Sequence, residues 1–186
     1  MRVTEKRKIQ VLIWPGAHDW MDAGIKFCTH GSGCHASFLL PDDTITEAFW
    51  PRVRNRPYLP ADKRLTEVYD VDFLSHEASE ALELILSQDV KADIRYSIGD
   101  LIRFALNRPV ADEKHTFCSR YVLHRLSKVL APEQMPLVRL PFGDWGSPRD
   151  LRISPRLRMV GSGVFSLTAK DTRAAVMRFC KAKGTY

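Results

Sequence analysis

A thiol at Cys118, an imidazole at His35 and a carboxylate at Glu47 are the three side-chain types that acyl transfer uses. The thiol attacks, the imidazole takes its proton, and a third polar group holds the imidazole in one orientation. Cys118 falls in the first turn of a predicted helix running from about Phe117 to Leu130, with Tyr121, Val122, Leu126 and Val129 on one face. At such a position the positive end of the helix dipole and unpaired N–H groups favour a thiolate, and the backbone N–H at the nucleophile can serve an oxyanion. Other bases are available, because His115 sits just ahead of this helix and His124 within it. Cys28, His30, Cys34 and His35 also cluster and could offer metal ligands, but their spacing matches no familiar zinc pattern and a second ligand cluster is lacking. No metal and no cofactor is therefore expected. Composition and spacing alone leave plainer readings standing, since an isolated buried Cys commonly behaves as a small core residue.

Any such site depends on the elements that carry its parts. His35 to Leu40 and Thr44 to Trp50 read as two strands of a hairpin turned by Pro41-Asp42-Asp43. Strand side chains alternate faces, so Ile45, Glu47 and Phe49 share one side. A carboxylate between two large apolar neighbours needs a partner, because burying it unpaired is costly. If the turn has an odd number of residues, His35, Ser37 and Leu39 come to the same face and His35 is that partner; a two-residue turn puts them on opposite faces. Before the hairpin, Ile9 to Trp14 reads as a buried strand, and Trp20, Ala23, Gly24, Phe27 and Cys28 as one stripe of a helix capped by Asp19. After it, Pro51, Pro57 and Pro60 with Arg52, Arg54 and Arg56 suggest an irregular segment, followed by a strand from Thr66 to Val71. Helices are expected after Ser75 and from Ser97, the latter with Asp100 completing a weak capping box. The remainder reads as a loop with Pro141, Gly143 and Pro148, a strand around Leu157 to Thr168, and a short terminal helix after Asp171. Strands and helices do not alternate cleanly, so a mixed α+β fold fits better than a doubly wound parallel sheet.

The chain of 186 residues is close to one domain in length, and its 45% hydrophobic content suffices for a core. Its 28 Lys+Arg against 22 Asp+Glu give a net charge of +6, which favours anionic partners such as lipid headgroups or acidic polymers. No zinc-finger spacing or RNP-like motif points to specific nucleic-acid binding. The four cysteines are scattered rather than set at disulfide-framework intervals, and Pro15-Gly16 interrupts the first apolar stretch before it reaches signal-peptide length. The expectation is a cytoplasmic protein as synthesised, with neither leader nor transmembrane segment.

Three motifs resemble the YiiX-like branch of the NlpC-type cysteine peptidases and amidases, in which the papain-like domain is circularly permuted. Cys28 to Phe38 resembles that family's helix end followed by a Ser-His-small-apolar strand; Ile45-Thr46-Glu47-Ala48 resembles its next strand; Tyr96-Ser97 and Thr116-Phe117-Cys118-Ser119 resemble its Tyr-Asp and Phe-Cys-Ser-Glu motifs. The order His, acidic residue, Cys distinguishes the permuted branch, and Ile153-Ser154-Pro155 is a weaker echo of a following segment. The resemblance implies an α+β fold with a small antiparallel sheet or open barrel packed against helices. It implies one domain over 1–186, with a core of about 9–130 and a strand/helix extension over 131–186. It also implies Cys118 as nucleophile, His35 as base and Glu47 as orienter; Trp14 and Tyr96 are taken as pocket walls. Relatives most often cut cell-wall peptides, which for a protein without an export signal implies release by lysis or carriage on a phage particle. The likeness extends to lecithin-retinol acyltransferase-like proteins, so acyl transfer or ester hydrolysis on lipid is an alternative, and a non-catalytic binding module a third. Two residues depart from the family pattern: Ser97 stands for an Asp but can still cap a helix, and Arg120 stands for an acidic residue and alters the field near the thiol.

Overall fold

The computed structural model describes residues 7–15, 35–58, 65–106, 114–135 and 146–164. The helix expected from Asp19, with Cys28, His30 and Cys34, lies outside these residues, as does the terminal helix after Asp171.

Within them the fold is mixed α+β. Eight strands form one open sheet in the order β7-β6-β4-β3-β2-β1-β5-β8. These are β1 (Gln10–Trp14), β2 (His35–Leu39), β3 (Thr44–Phe49), β4 (Arg52–Pro57), β5 (Leu65–Val71), β6 (Arg95–Tyr96), β7 (His115–Thr116) and β8 (Leu157–Val164). Every pairing is antiparallel except β6 with β7. Four helices accompany the sheet: α1 (His76–Lys91), α2 (Ile98–Ala105), α3 (Cys118–Leu126) and α4 (Pro148–Arg152).

The sheet is larger than the small one expected, for two reasons. The segment anticipated as irregular is strand β4, in full register with β3 from Phe49 opposite Arg52 to Thr44 opposite Pro57. Its three arginines alternate with Val53 and Asn55, a period of two that outweighs the flanking prolines. In addition, β6 and β7 are two residues long, too short to show periodicity. The loop expected around Pro148 contains α4. Ser147 caps it by accepting from the Asp150 N–H, Asp150 returns a bond to the Ser147 backbone, and Pro148 occupies the first turn, where a missing N–H costs nothing. The C-terminal strand β8 pairs with β5 from Val71 opposite Leu157 to Leu65 opposite Val164, so the segment past residue 130 extends the same sheet.

Apolar side chains gather on both faces. One cluster joins Val11, Ile13, Ala36, Phe38, Ala48 and Tyr69 of the sheet to Leu82, Leu86, Tyr121, Val122 and Leu126 of the helices. The other, on the opposite face, contains Leu12, Trp14, Leu39, Ile45, Tyr58 and Val68. The helix α3 packs against β2 and β3, with the Phe38 and Tyr121 rings edge to face at 6.0 Å. No helix among the described residues is long and apolar enough to cross a membrane.

Candidate active site

The hairpin decides whether His35 can meet Glu47. Leu40 and Thr44 close a three-residue turn through Leu40 N–H to the Thr44 carbonyl at 2.8 Å, and Asp43 takes a left-handed conformation with φ of 64°. A three-residue loop with a left-handed last residue is a common hairpin solution. The register then sets Leu39 opposite Ile45 and Phe38 opposite Thr46. Continuing it brings Ser37 opposite Glu47 and His35 opposite Phe49, all on one face. The odd-numbered turn on which the pairing depended is present, and His35 Nε2 lies 3.0 Å from Glu47 Oε2.

The third member arrives from the far end of the chain. β7 pairs with β6, and the Ser97 N–H reaches the Thr116 carbonyl at 2.8 Å, so the Tyr96-Ser97 and Thr116-Phe117 motifs lie side by side. The chain then turns directly into α3. Its N-cap residue is Phe117, which offers no side-chain hydrogen bond to the first-turn N–H groups. Although His35 belongs to the face away from the helices, it is the first residue of β2 and Cys118 the first of α3. At these element ends the thiol lies close enough to the His35 ring to raise its proton affinity. With Nε2 engaged by the carboxylate, Nδ1 is the nitrogen left for the sulfur.

All three groups are buried: His35 is 5% exposed, Glu47 1% and Cys118 0%. Burial alone would lower the affinity of His35 for its proton. Hydrogen bonds to Cys118 and Glu47, and the negative charge each can carry, outweigh that and push its pKa up to about 10. Burial likewise opposes ionisation of Glu47, but the hydrogen bond and charge of His35, joined by Arg56, hold it well below the usual carboxylate range. The arrangement is an imidazole set between an ionised carboxylate and a thiol, with a proton affinity well above that of a free imidazole.

Aromatic rings close around the imidazole. Trp14, opposite His35 in the β1–β2 ladder, places its ring 5.1 Å away, and Phe49 meets the imidazole edge-on at 5.9 Å. Tyr96 is buried in the helix-side core, on the strand that pairs with β7 two residues ahead of Cys118. Of the alternative bases, His124 has its Nδ1 3.0 Å from Arg125 Nη1, and His115 lies in β7, three residues ahead of Cys118.

Two residues of the site were not anticipated. Arg54 donates from Nε and Nη2 to Glu47 Oε1 at 3.0 and 2.8 Å, and Arg56 donates from Nε to the same oxygen at 2.8 Å. Arg54 also lies over the Phe49 ring, 4.2 Å from its centroid. The alternation of β4 was the pattern that could have revealed them, because it sets Arg54 directly opposite Glu47 and Arg56 one pleat along. Ser37 and Ser119, flanking the triad in register and in sequence, have buried hydroxyls without hydrogen-bond partners among the described residues.

No family model matches the chain. No curated protein matches it either. Among solved structures, it is similar to the metalloprotein YiiX of Escherichia coli O157:H7, with a TM-score of 0.60 and 15% identity over 85% of this chain and 98% of that one. At that identity the likeness shows the fold alone: this chain has a YiiX-like fold.

Proposed function

We propose that the protein is a thiol-dependent hydrolase of amide bonds on a permuted papain-like arrangement, with Cys118 as nucleophile, His35 as acid and base, and Glu47 as orienter. The observation that carries this reading is the buried hydrogen bond of one imidazole to an ionised carboxylate, beside a thiol at a helix start that also raises the ring's proton affinity. Cys118 Sγ adds to the substrate carbonyl, and the oxyanion is met by first-turn N–H groups of α3 that no side chain caps. His35 gives its proton to the leaving nitrogen as the C–N bond breaks, leaving a thioester on Cys118. The now neutral imidazole takes a proton from water, whose oxygen attacks the thioester, and the acid leaves as the thiolate returns. Glu47 stays ionised throughout and keeps Nε2–H pointed at Oε2.

Because Cys118 has no exposed surface, turnover requires the site to open, and iodoacetamide labelling of the native protein measures that opening. A net charge of +6 accords with an anionic polymer such as bacterial cell wall, whose peptides are the substrate class favoured here. The YiiX protein of similar fold is a metalloprotein. Among the described donors, both oxygens of Glu47 are taken by His35, Arg54 and Arg56, and no group of three His, Cys, Asp or Glu that could hold a metal occurs among the described residues; Cys28, His30 and Cys34 lie outside them. The test is to incubate the protein, and Cys118→Ala, with purified murein and separately with phospholipid vesicles. The proposal expects peptide fragments from murein that disappear in Cys118→Ala. Cys118-dependent products from vesicles alone would make the chain a lipid acyltransferase or esterase, and products unaffected by the substitution would end the enzyme reading.

A further inference from the structure

The carboxylate beside His35 is shared unequally. Oε2 serves the imidazole, while Oε1 receives three N–H groups from two guanidiniums. One arginine would suffice to satisfy a buried carboxylate. Two on the same oxygen do more, because they leave the other oxygen for His35 and bring two positive charges close to the imidazolium. The arginines themselves are not sealed in: the side chain of Arg54 is 42% exposed and that of Arg56 24%, against 1% for Glu47. Their charge is therefore partly open to screening, whereas the His35–Glu47 contact is not.

We propose that Arg54 and Arg56 are positioning residues that set the proton affinity of His35, drawing off part of the Glu47 charge so that the imidazolium releases its proton more readily than beside an unshared carboxylate. The inference rests on the reading of His35 as the acid and base of the site. An imidazole held between a thiolate and a free carboxylate would bind its proton so tightly that delivery to a leaving group becomes the slow step. The optimum for a general acid lies nearer the working pH, and two guanidiniums move His35 in that direction. The groups that face the ring are Cys118 from α3, Glu47 and Phe49 from β3, and Trp14 from β1. The nearby charges act through or beside them: Arg54 and Arg56 on Glu47, and Arg120, two residues beyond the sulfur, turned to the His115 carbonyl.

The test follows the His35 ring by NMR as the full-length protein is titrated. Arg56→Gln is expected to raise the midpoint by about one pH unit, a tenfold gain in proton affinity, as befits one partly screened charge a few ångströms beyond the carboxylate. Arg56→Lys, which keeps the charge, should bring the midpoint most of the way back. A midpoint that stays or falls in Arg56→Gln overturns the proposal. Should that variant not fold, the native protein at low and high salt decides: the midpoint must rise as salt screens the exposed guanidiniums, and a salt-independent midpoint overturns the proposal equally. The titration needs no substrate, so its outcome is separate from the Cys118→Ala test of turnover.

Discussion

His35 carries a proton across the neutral range because two acidic groups hold it there, and this has a consequence for stability. Its folded pKa, about 10, lies above the ordinary 6.5. The unfolded chain therefore gives up the proton first as pH rises. The stability contributed by the proton on His35 is fully present below about pH 6.5 and is lost progressively as pH rises towards 10. Glu47 acts in the opposite sense: with its folded pKa depressed, its contribution is present above the usual carboxylate range and lost as pH falls below it. Tyr69 and Tyr121, both raised by burial and by their carboxylate partners, lose stabilising protons only above pH 10. The urea midpoint is thus expected to fall between pH 6.5 and 9.5, and to fall much less in Glu47→Gln, where the negative partner is gone. A flat profile for the native protein over that interval would show that His35 is not held as an imidazolium. The pair was legible in the sequence because Glu47 stands between Ile45 and Phe49, where an unpaired charge is untenable. Its arginine partners were not, because Pro51, Pro57 and Pro60 are signals of irregular chain that mask the alternation of β4.

At the scale of elements, three residues of turn hold the site together. With Pro41, Asp42 and Asp43 between β2 and β3, His35 and Glu47 share a face; with one residue fewer, every side chain of one strand changes sides. Deleting Asp42 is expected to separate His35 from Glu47 and to reduce Cys118-dependent turnover by about a hundredfold or more, the usual worth of a positioned acid and base. Asp43→Gly keeps the count and relieves a side chain held at φ of 64°, though it removes the ion pair with Arg7. It should leave turnover intact and stability within about 1 kcal/mol, as read by urea unfolding. Equal effects of the two changes would show that register does not set the site. Caps were the most readable elements: Ser75 and Ser97 each accept from an N–H three residues on, as their positions imply. Ser147 and Asp150 form the same device around Pro148, yet the proline favoured a loop reading. The two-residue strands β6 and β7 are too short to carry a period, so their pairing left no trace in the sequence pattern.

For the molecule as a whole, the question is what keeps α3, and with it Cys118, in place against the sheet. Its start is fixed by β7, and its middle by Tyr121 on Phe38. Its far end is tied to α1 by a buried ion pair: Arg125 grips Asp89 with Nε on Oδ2 and with Nη2 on Oδ1 at 2.9 Å, and the Tyr121 hydroxyl donates to Oδ2 at 2.9 Å. Removing one partner of such a pair strands the other charge, whereas replacing both with apolar groups removes the desolvation cost as well as the attraction. Asp89→Ala is accordingly expected to destabilise the protein by about 3 kcal/mol. Asp89→Leu combined with Arg125→Met should recover at least half of that loss, the remainder reflecting the unpartnered Tyr121 hydroxyl. Because the first turn of α3 is anchored independently of Asp89, turnover per folded molecule should survive in both variants. A double variant as unstable as Asp89→Ala would mean that the ion pair supplies more than mutual neutralisation, and a loss of turnover in well-folded protein would mean that the placement of Cys118 is set from the distant end of its helix.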